Sequence, residues 1–315
     1  MGETTGISWC DATFNPWIGC TKVSPGCKFC YAERENQFYQ WNRAGWGPLA
    51  DRKKTSQTYW LKPLIWNKQA EKDGVRRKVF CSSLADVFDD HPSILSEWRS
   101  ELFSLIEQTP WLNWLLLTKR PENINRMVAD FAGDCEWLSS GAKNVWLGTT
   151  TEDQEQADNR IPLLLQTPTV MHFLSVEPML GSVILPEFSS YIFPDGFENN
   201  GPMSTTIGIS YEPDNHIDWV ICGGESGPNA RPMHPRWARH LRDQCSANNI
   251  PFFFKQWGEW VTAGQAYALG YNTRDTKNTV VEDGSFPCIM SKIGKKAAGC
   301  LLDGREWKEF PEKNR

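Results

Sequence analysis

The sequence predicts an α/β fold built on a parallel sheet, closed or partly closed into a barrel. Three observations carry that expectation: short apolar runs without polar alternation, helical stretches between them, and polar residues gathered just after each run. Parallel strands are covered on both faces, so they read as continuous apolar segments. Candidate strands are Phe14 to Ile18, Lys78 to Ser82, Trp114 to Thr118, Asn144 to Thr149, Val170 to Val176, Trp219 to Gly223 and Pro251 to Lys255. Between them fall helices at Tyr31 to Asn42, Ser93 to Gln108, Glu122 to Asp130, Glu152 to Leu165 and Pro235 to Asn248. The second helix repeats Ile94, Leu95, Trp98, Leu102, Leu105 and Ile106 at the spacing of one helix face. Strand–helix alternation of this kind implies right-handed crossovers.

Three stretches break the rhythm. Residues 44–63 are polar, with Gly45, Gly47 and Pro48, and read as an insertion between the first helix and the second strand. Residues 186–215 are rich in Gly, Pro, Asn and Ser and read as a long loop or lid. From residue 262 to 315 the βα pattern is lost, and Asp303-Gly304 marks a hairpin turn in an irregular or β-rich extension. The expected division is therefore a barrel over 1–261 and an extension over 262–315.

Composition excludes several classes. Of 315 residues, 40% are hydrophobic and 23% charged, as in an ordinary globular protein with a substantial core. A formal charge of −5 argues against a surface built throughout to coat phosphate, while leaving room for a local basic groove. No apolar core follows a charged start, and Gly6 stands where a myristoylation signal needs Ser or Thr. The longest apolar runs, such as Leu115 to Leu117 and Phe252 to Phe254, are too short to span a bilayer. A cytoplasmic protein without membrane contact is expected.

Ten cysteines in a chain of this kind do not suggest a disulfide framework. Cys81 and Cys222 sit in apolar runs, and Cys135, Cys245, Cys288 and Cys300 are scattered singly. Only Cys20, Cys27 and Cys30 cluster, with spacing C-x6-C-x2-C on the loop between the first strand and first helix. Pro25-Gly26 forces a turn just before the second cysteine. Such a loop can wrap three thiolates around a [4Fe–4S] cluster, and three ligands leave one iron open. None of His91, His172, His216, His234 or His240 is close in sequence to supply a fourth. Two other readings stay open: a structural zinc site completed by Cys10, and a redox dithiol at Cys27 and Cys30.

The segment Asn15 to Glu33, NPWIGCTKVSPGCKFCYAE, resembles the cysteine motif of the radical S-adenosylmethionine (SAM) superfamily. More closely it resembles a phage- and mobile-element-associated family of unknown function in that group, linked genomically with three-Cys-motif partner proteins. Cys27-Lys28-Phe29-Cys30 matches the superfamily's C-x-aromatic-C ending, and Tyr31 after it is similar to spore photoproduct lyase. The first gap departs, with six residues where the usual pattern has three. Resemblance to the phage family extends through SLADVF (83–88), LLTKRPENI (116–124), LGTTTEDQ (147–154), SVEPMLG (175–181), GGESGPNARPMHP (223–235) and FFKQWGEW (253–260).

The resemblance implies a partial parallel (β/α)6-type TIM-like barrel. It implies a cluster on Cys20, Cys27 and Cys30 whose open iron chelates SAM, with Phe29 beside the cofactor. An external electron donor would drive reductive cleavage to a 5′-deoxyadenosyl radical. Nucleic-acid repair or modification is implied by the likeness to spore photoproduct lyase and the phage association, as is a three-Cys-motif protein as partner; the alternative is a non-catalytic zinc or iron–sulfur interaction protein of a phage or mobile element.

The residues themselves place polar groups at the strand C-termini, where parallel barrels concentrate their sites. These are Ser82, Ser83 and Asp86; Thr118, Lys119 and Arg120; Thr149, Thr150 and Glu152; Ser175 and Glu177; Gly223, Gly224, Glu225 and Ser226; Lys255 and Gln256. Ser82 or Ser83, Thr149 or Thr150, and Gly223 are assigned to the cofactor, and Glu177, Glu225 and Lys255 to the substrate side. Basic residues from Arg231 to Arg242, and aromatics such as Trp41 and Trp46, offer a surface for a single strand or a flipped base. A solvated helix face and core tryptophans explain the same residues without nucleic acid.

Overall fold

Seven parallel strands form where the apolar runs fall. They are β1 (Ala12–Phe14), β2 (Arg77–Cys81), β3 (Leu112–Thr118), β4 (Val145–Thr150), β5 (His172–Val176), β6 (Trp219–Gly223) and β7 (Phe252–Gln256). They lie in chain order, each parallel to its neighbours, in a sheet curled into a half barrel. This computed structural model describes residues 5–43, 45–186, 216–284 and 286–311; the expected lid over 186–215 falls almost wholly outside them. Crossovers carry the helices α1 (Tyr31–Tyr39), α2 (Lys62–Asp73), α3 (Ser96–Glu107), α4 (Ile124–Ala132), α5 (Gln154–Leu165) and α6 (Pro235–Ala247). Among the described residues no helix is long and apolar enough to cross a membrane.

Successive strand side chains point to opposite faces, and both faces here are apolar. Val79, Trp114, Leu116, Leu147, Val176, Val220 and Phe254 join the helices in the outer core. Phe80, Leu115, Trp146, Phe173, Trp219, Ile221 and Phe253 fill the concave side with Trp9 and Cys10. Trp219 is the hub of this inner cluster. Its ring centroid lies 6.4 Å from Trp9, 6.1 Å from Trp146 and Phe253, 6.0 Å from Phe173 and 5.3 Å from Phe310. Its indole N–H donates to the Glu309 carbonyl at 2.9 Å, so the plug leaves no orphan donor at Trp219. Most of these residues open their strands, so the plug fills the N-terminal end and leaves the C-terminal end free.

Gly148, the next inward position on β4 after Trp146, is required by this packing. A Cβ there would stand 2.5 Å from the Phe173 ring. Gly148→Ala is expected to cost about 1–3 kcal/mol through overpacking, read by urea denaturation. An unchanged midpoint would contradict the packing described.

The structure corrects the sequence reading at the first crossover. The first strand ends at Phe14, and Trp17–Ile18 instead pairs antiparallel with Lys53–Lys54. Pro16 has no N–H to continue a ladder, and the Asn15 side chain accepts from the Leu84 amide at 2.7 Å, turning the chain away. α2 was not expected: the insertion was read as running to Pro63. Pro63 sits in its first turn, Gly74 caps it at φ 64°, and Pro63, Trp66, Asn67 and Ala70 form its buried face.

Beyond the sheet, β8 (Trp260–Thr262), β9 (Lys277–Val281) and β10 (Cys288–Lys292) form an antiparallel sheet with β10 central. A hairpin of β11 (Leu301–Leu302) and β12 (Arg305–Glu306) turns at Asp303 (φ 55°) and Gly304 (φ 77°). Both central residues in the left-handed region is what a two-residue hairpin of this twist demands.

Candidate functional site

A cavity of about 560 Å³ opens at the C-terminal end of the half barrel. Its floor is apolar, formed by Trp9, Phe80 and Leu117 above the inner plug. Its walls are polar. Ser82, Ser83, Asp86, Lys119, Arg120, Thr150, Ser175, Glu177, Glu225 and Lys255 all line it, as do Cys20, Cys27 and Cys30. Among the described residues no other cysteine reaches it.

The cysteine loop is short and turned. Pro25–Cys27 forms one 3-10 turn, and Cys30 caps α1, its carbonyl accepting from the Arg34 amide at 3.2 Å. Burial pushes the Cys20 thiol up to about 12; the guanidinium of Arg120, with Nη1 at 3.8 Å from the sulfur, opposes that rise. Burial also raises the Cys30 thiol against the amides of Glu33 and Ala32 and the charge of Lys119. All ten cysteines are free thiols, and a metal bound to Cys20 and Cys30 would displace their protons.

Three charged clamps hold this loop from three strand ends. The first lies beside Cys20. Arg120 binds Asp86 at 2.9 Å and Asp89 at 3.2 Å, and donates to the Thr21 carbonyl at 2.8 Å. Arg52 meets the same Asp89 at 2.8 Å and donates to the Thr21 hydroxyl at 2.6 Å. Two guanidinium groups and two carboxylates thus balance where water is excluded.

The second clamp is Glu152, which is fully buried. One carboxylate oxygen accepts from the Gly26 amide at 2.9 Å and from the Ser24 hydroxyl, and the other from Arg160 at 2.9 Å. Burial pushes this carboxyl up, but Lys119, Arg160 and the Ser24 hydrogen bond outweigh it and hold it below the usual glutamate range. Gly26 is glycine because a Cβ would stand 2.8 Å from that carboxylate. The third clamp is Arg231. It pairs with Glu225 and reaches the Pro25 carbonyl at 3.0 Å. Its guanidinium also lies 5.3 Å from the centre of the Phe29 ring.

The sequence-derived candidates divide accordingly. Phe29, Ser82, Ser83, Thr150, Glu177, Glu225 and Lys255 line the cavity with the three cysteines. Thr149 does not: it faces away from Thr150, and its hydroxyl donates to the Thr118 carbonyl at 3.0 Å. Gly223 is also set back. A Cβ there would stand 3.3 Å from the Glu177 carboxyl, so the glycine makes room for that side chain. Glu177 in turn pairs with Lys255 at 2.7 Å. Glu225 is committed to Arg231 rather than open to the cavity centre. Ser82 adopts φ 68°, a left-handed conformation uncommon for a serine.

Sequence reasoning did not single out Arg52, Asp89 and Arg160, and it read Arg231 only as part of a basic stretch. Arg52 meets Asp89 across 37 residues and Arg231 reaches Pro25 across 206, and no local spacing signals either; Arg160 stands only eight residues from Glu152 and Arg231 six from Glu225.

The family described as "Protein of unknown function (DUF5131)" matches residues 4–311. The chain belongs to DUF5131. No curated protein and no solved structure matches the DUF5131 chain. Among its described residues no three His, Cys, Asp or Glu side chains converge on a point where a single ion could sit. Cys10, the fourth donor a zinc reading requires, is buried in the inner cluster away from the cavity lining, and burial pushes its thiol up to about 12.

Proposed function

We propose that this DUF5131 chain is a radical SAM enzyme acting on a nucleic acid or nucleotide. Cys20, Cys27 and Cys30 would hold a [4Fe–4S] cluster, and the rest of the cavity S-adenosylmethionine. One observation carries this reading: three thiols from one loop, with no fourth, line the polar end of a parallel half barrel. Three thiols on one loop are the kind of donor set that would hold a [4Fe–4S] cluster. Bound together and given an external electron donor, the two groups would supply reductive cleavage of a sulfonium C–S bond and hence hydrogen-atom abstraction.

The chain's own residues would place, neutralise and exclude. Arg120, with Nη1 3.8 Å from the Cys20 sulfur, and Lys119 on the same lining would offset thiolate charge. Lys119 also donates to the Thr150 hydroxyl at 3.2 Å, fixing that hydroxyl on the wall. Tyr31 donates to the Ser83 carbonyl at 2.8 Å and ties the start of α1 to the end of β2. Glu177 and Lys255 offer an acceptor and a donor to a bound substrate. The floor of Trp9, Phe80 and Leu117 keeps water from below.

Anaerobic reconstitution followed by iron and sulfide analysis tests the reading, with about four of each expected per chain. Reduction with dithionite in the presence of S-adenosylmethionine is expected to release 5′-deoxyadenosine. One zinc per chain in place of iron, or a loaded chain releasing no 5′-deoxyadenosine, contradicts it.

A further inference from the structure

The rim of the cavity carries charge opposite to the chain as a whole. Phe29, Arg34, Gly227 and Pro228 line a smaller depression that shares Phe29, Cys30, Arg34 and Ser226 with the main cavity. Lys28 and Arg231 lie 5.4 and 5.3 Å from the Phe29 ring centre. Lys292 reaches the carbonyls of Gly227 and Pro228, and a Cβ at Gly227 would overlap the Arg34 guanidinium. Lys22 adds a fifth cation through its pair with Glu33 at 2.7 Å. Against these five and Lys295, which also lines the cavity, stand four carboxylates, Glu33, Glu35, Glu225 and Glu259. The local balance is 6 − 4, or two positive charges, in a chain whose formal net charge is −5.

Three of these cations, Arg34, Lys28 and Lys292, have no carboxylate partner among the described residues, and Lys292 is held by carbonyls instead. Among the described residues the Arg34 side chain makes no ion pair or hydrogen bond, and Lys28 meets only the Phe29 ring. Lys295, also on the cavity lining, is likewise without an anionic partner among them. Aromatic surface adjoins the same mouth. Trp41 and Trp46 line the cavity and pack against the small cluster of Ile18, Ala32 and Leu84 that includes Cys30. Trp41 is stacked on Tyr39 at 4.7 Å, and Tyr39 and Phe38 lead out to solvent. Unpaired cations and half-buried aromatic rings on one cavity lining are the two elements by which single strands are held, one for phosphate and one for bases.

We infer that this rim seats a phosphate of a nucleotide unit through Arg34, Lys28 and Lys295, and that its base enters the cavity past Trp41 and Trp46. The ligand is a single strand delivering one base. This deepens the function proposed above, since it rests on the same cavity being the reaction site. A base held in a stacked duplex cannot reach that depth, so the duplex form is expected to bind more weakly.

Fluorescence anisotropy of a labelled single-stranded oligonucleotide on the full chain tests the inference. Binding that falls with salt is expected, and Arg34→Glu should weaken it about tenfold at moderate salt. Arg34 is exposed and unbonded in this fold, so the variant should keep the parent circular dichroism. A mononucleotide competing as well as the strand would overturn the single-strand assignment and give the phosphate seat to a free nucleotide. No binding, displacement by heparin as readily as by unlabelled strand, or an Arg34→Glu variant binding like the parent overturns the proposal. Because the assay needs neither reduction nor S-adenosylmethionine, its outcome is separable from that of 5′-deoxyadenosine release. A chain that binds the strand but releases no 5′-deoxyadenosine keeps the rim and loses the radical chemistry.

Discussion

Cys27→Ala is expected to abolish both bound iron and 5′-deoxyadenosine release after anaerobic reconstitution, while Cys245→Ala leaves both at the parent level. The contrast follows from position. Cys27 lies on the clamped loop and lines the cavity, whereas Cys245 is fully buried on α6 in the outer core. If the three cysteines hold the proposed cluster, removing one would leave an iron without protein support, and among the described residues no other cysteine lines the cavity to replace it. Loss of the Cys245 sulfur removes packing only, about 1 kcal/mol, and touches no metal chemistry. Iron content measured on both purified variants decides the matter. Equal loss in the two would show that fold damage, rather than ligation, governs the metal.

Glu152→Ala is expected to destabilise the protein by about 3–5 kcal/mol, because it leaves Arg160 buried without its counter-charge. It also frees the Gly26 amide and the Ser24 hydroxyl, so the cysteine loop loses the clamp at its centre. Glu152→Gln retains the volume and separates charge from shape. The pH dependence has a definite sign. This carboxyl titrates below its unfolded value, so its stabilisation is complete above the ordinary carboxylate range and is lost as pH falls through the depressed folded value. Urea midpoints followed from about pH 5 downward, where first the unfolded and then the folded carboxyl takes up its proton, should therefore fall less steeply for Glu152→Gln than for the parent. Parallel profiles would mean that the Glu152 charge is not what secures the loop.

The strands were legible because burial on both faces leaves a mark that a single sequence carries. Trp219 to Gly223 was read to the residue, and β3 to β5 and β7 within two residues at either end. The cysteine loop was legible for a similar reason, since strand, turn and helix signals fall within twenty residues. α2 escaped because its buried face is spare, with Asn67 among Trp66 and Ala70, and its start was absorbed into a polar insertion. Asn67 is buried because its side chain accepts from the Trp111 amide at 2.8 Å, a partner no periodicity announces.

The same limit applies at the site. Which residues stand at strand ends follows from local pattern; which of them face the cavity follows from register. That is why Thr150 reaches it and Thr149 does not. The clamps are further removed from the sequence. Glu152 meets Gly26 across 126 residues and Arg231 meets Pro25 across 206, joined only when the sheet curls. Glu225, assigned from sequence to the substrate side, lines the cavity and also holds Arg231 against that loop.

Electron paramagnetic resonance of the dithionite-reduced, reconstituted chain, recorded with and without S-adenosylmethionine, bears most directly on whether three thiols leave an iron open. The expected result is a reduced [4Fe–4S] signal whose g-values move when S-adenosylmethionine is added. A cluster signal unchanged by S-adenosylmethionine, or no cluster signal from a fully reconstituted sample, would contradict it.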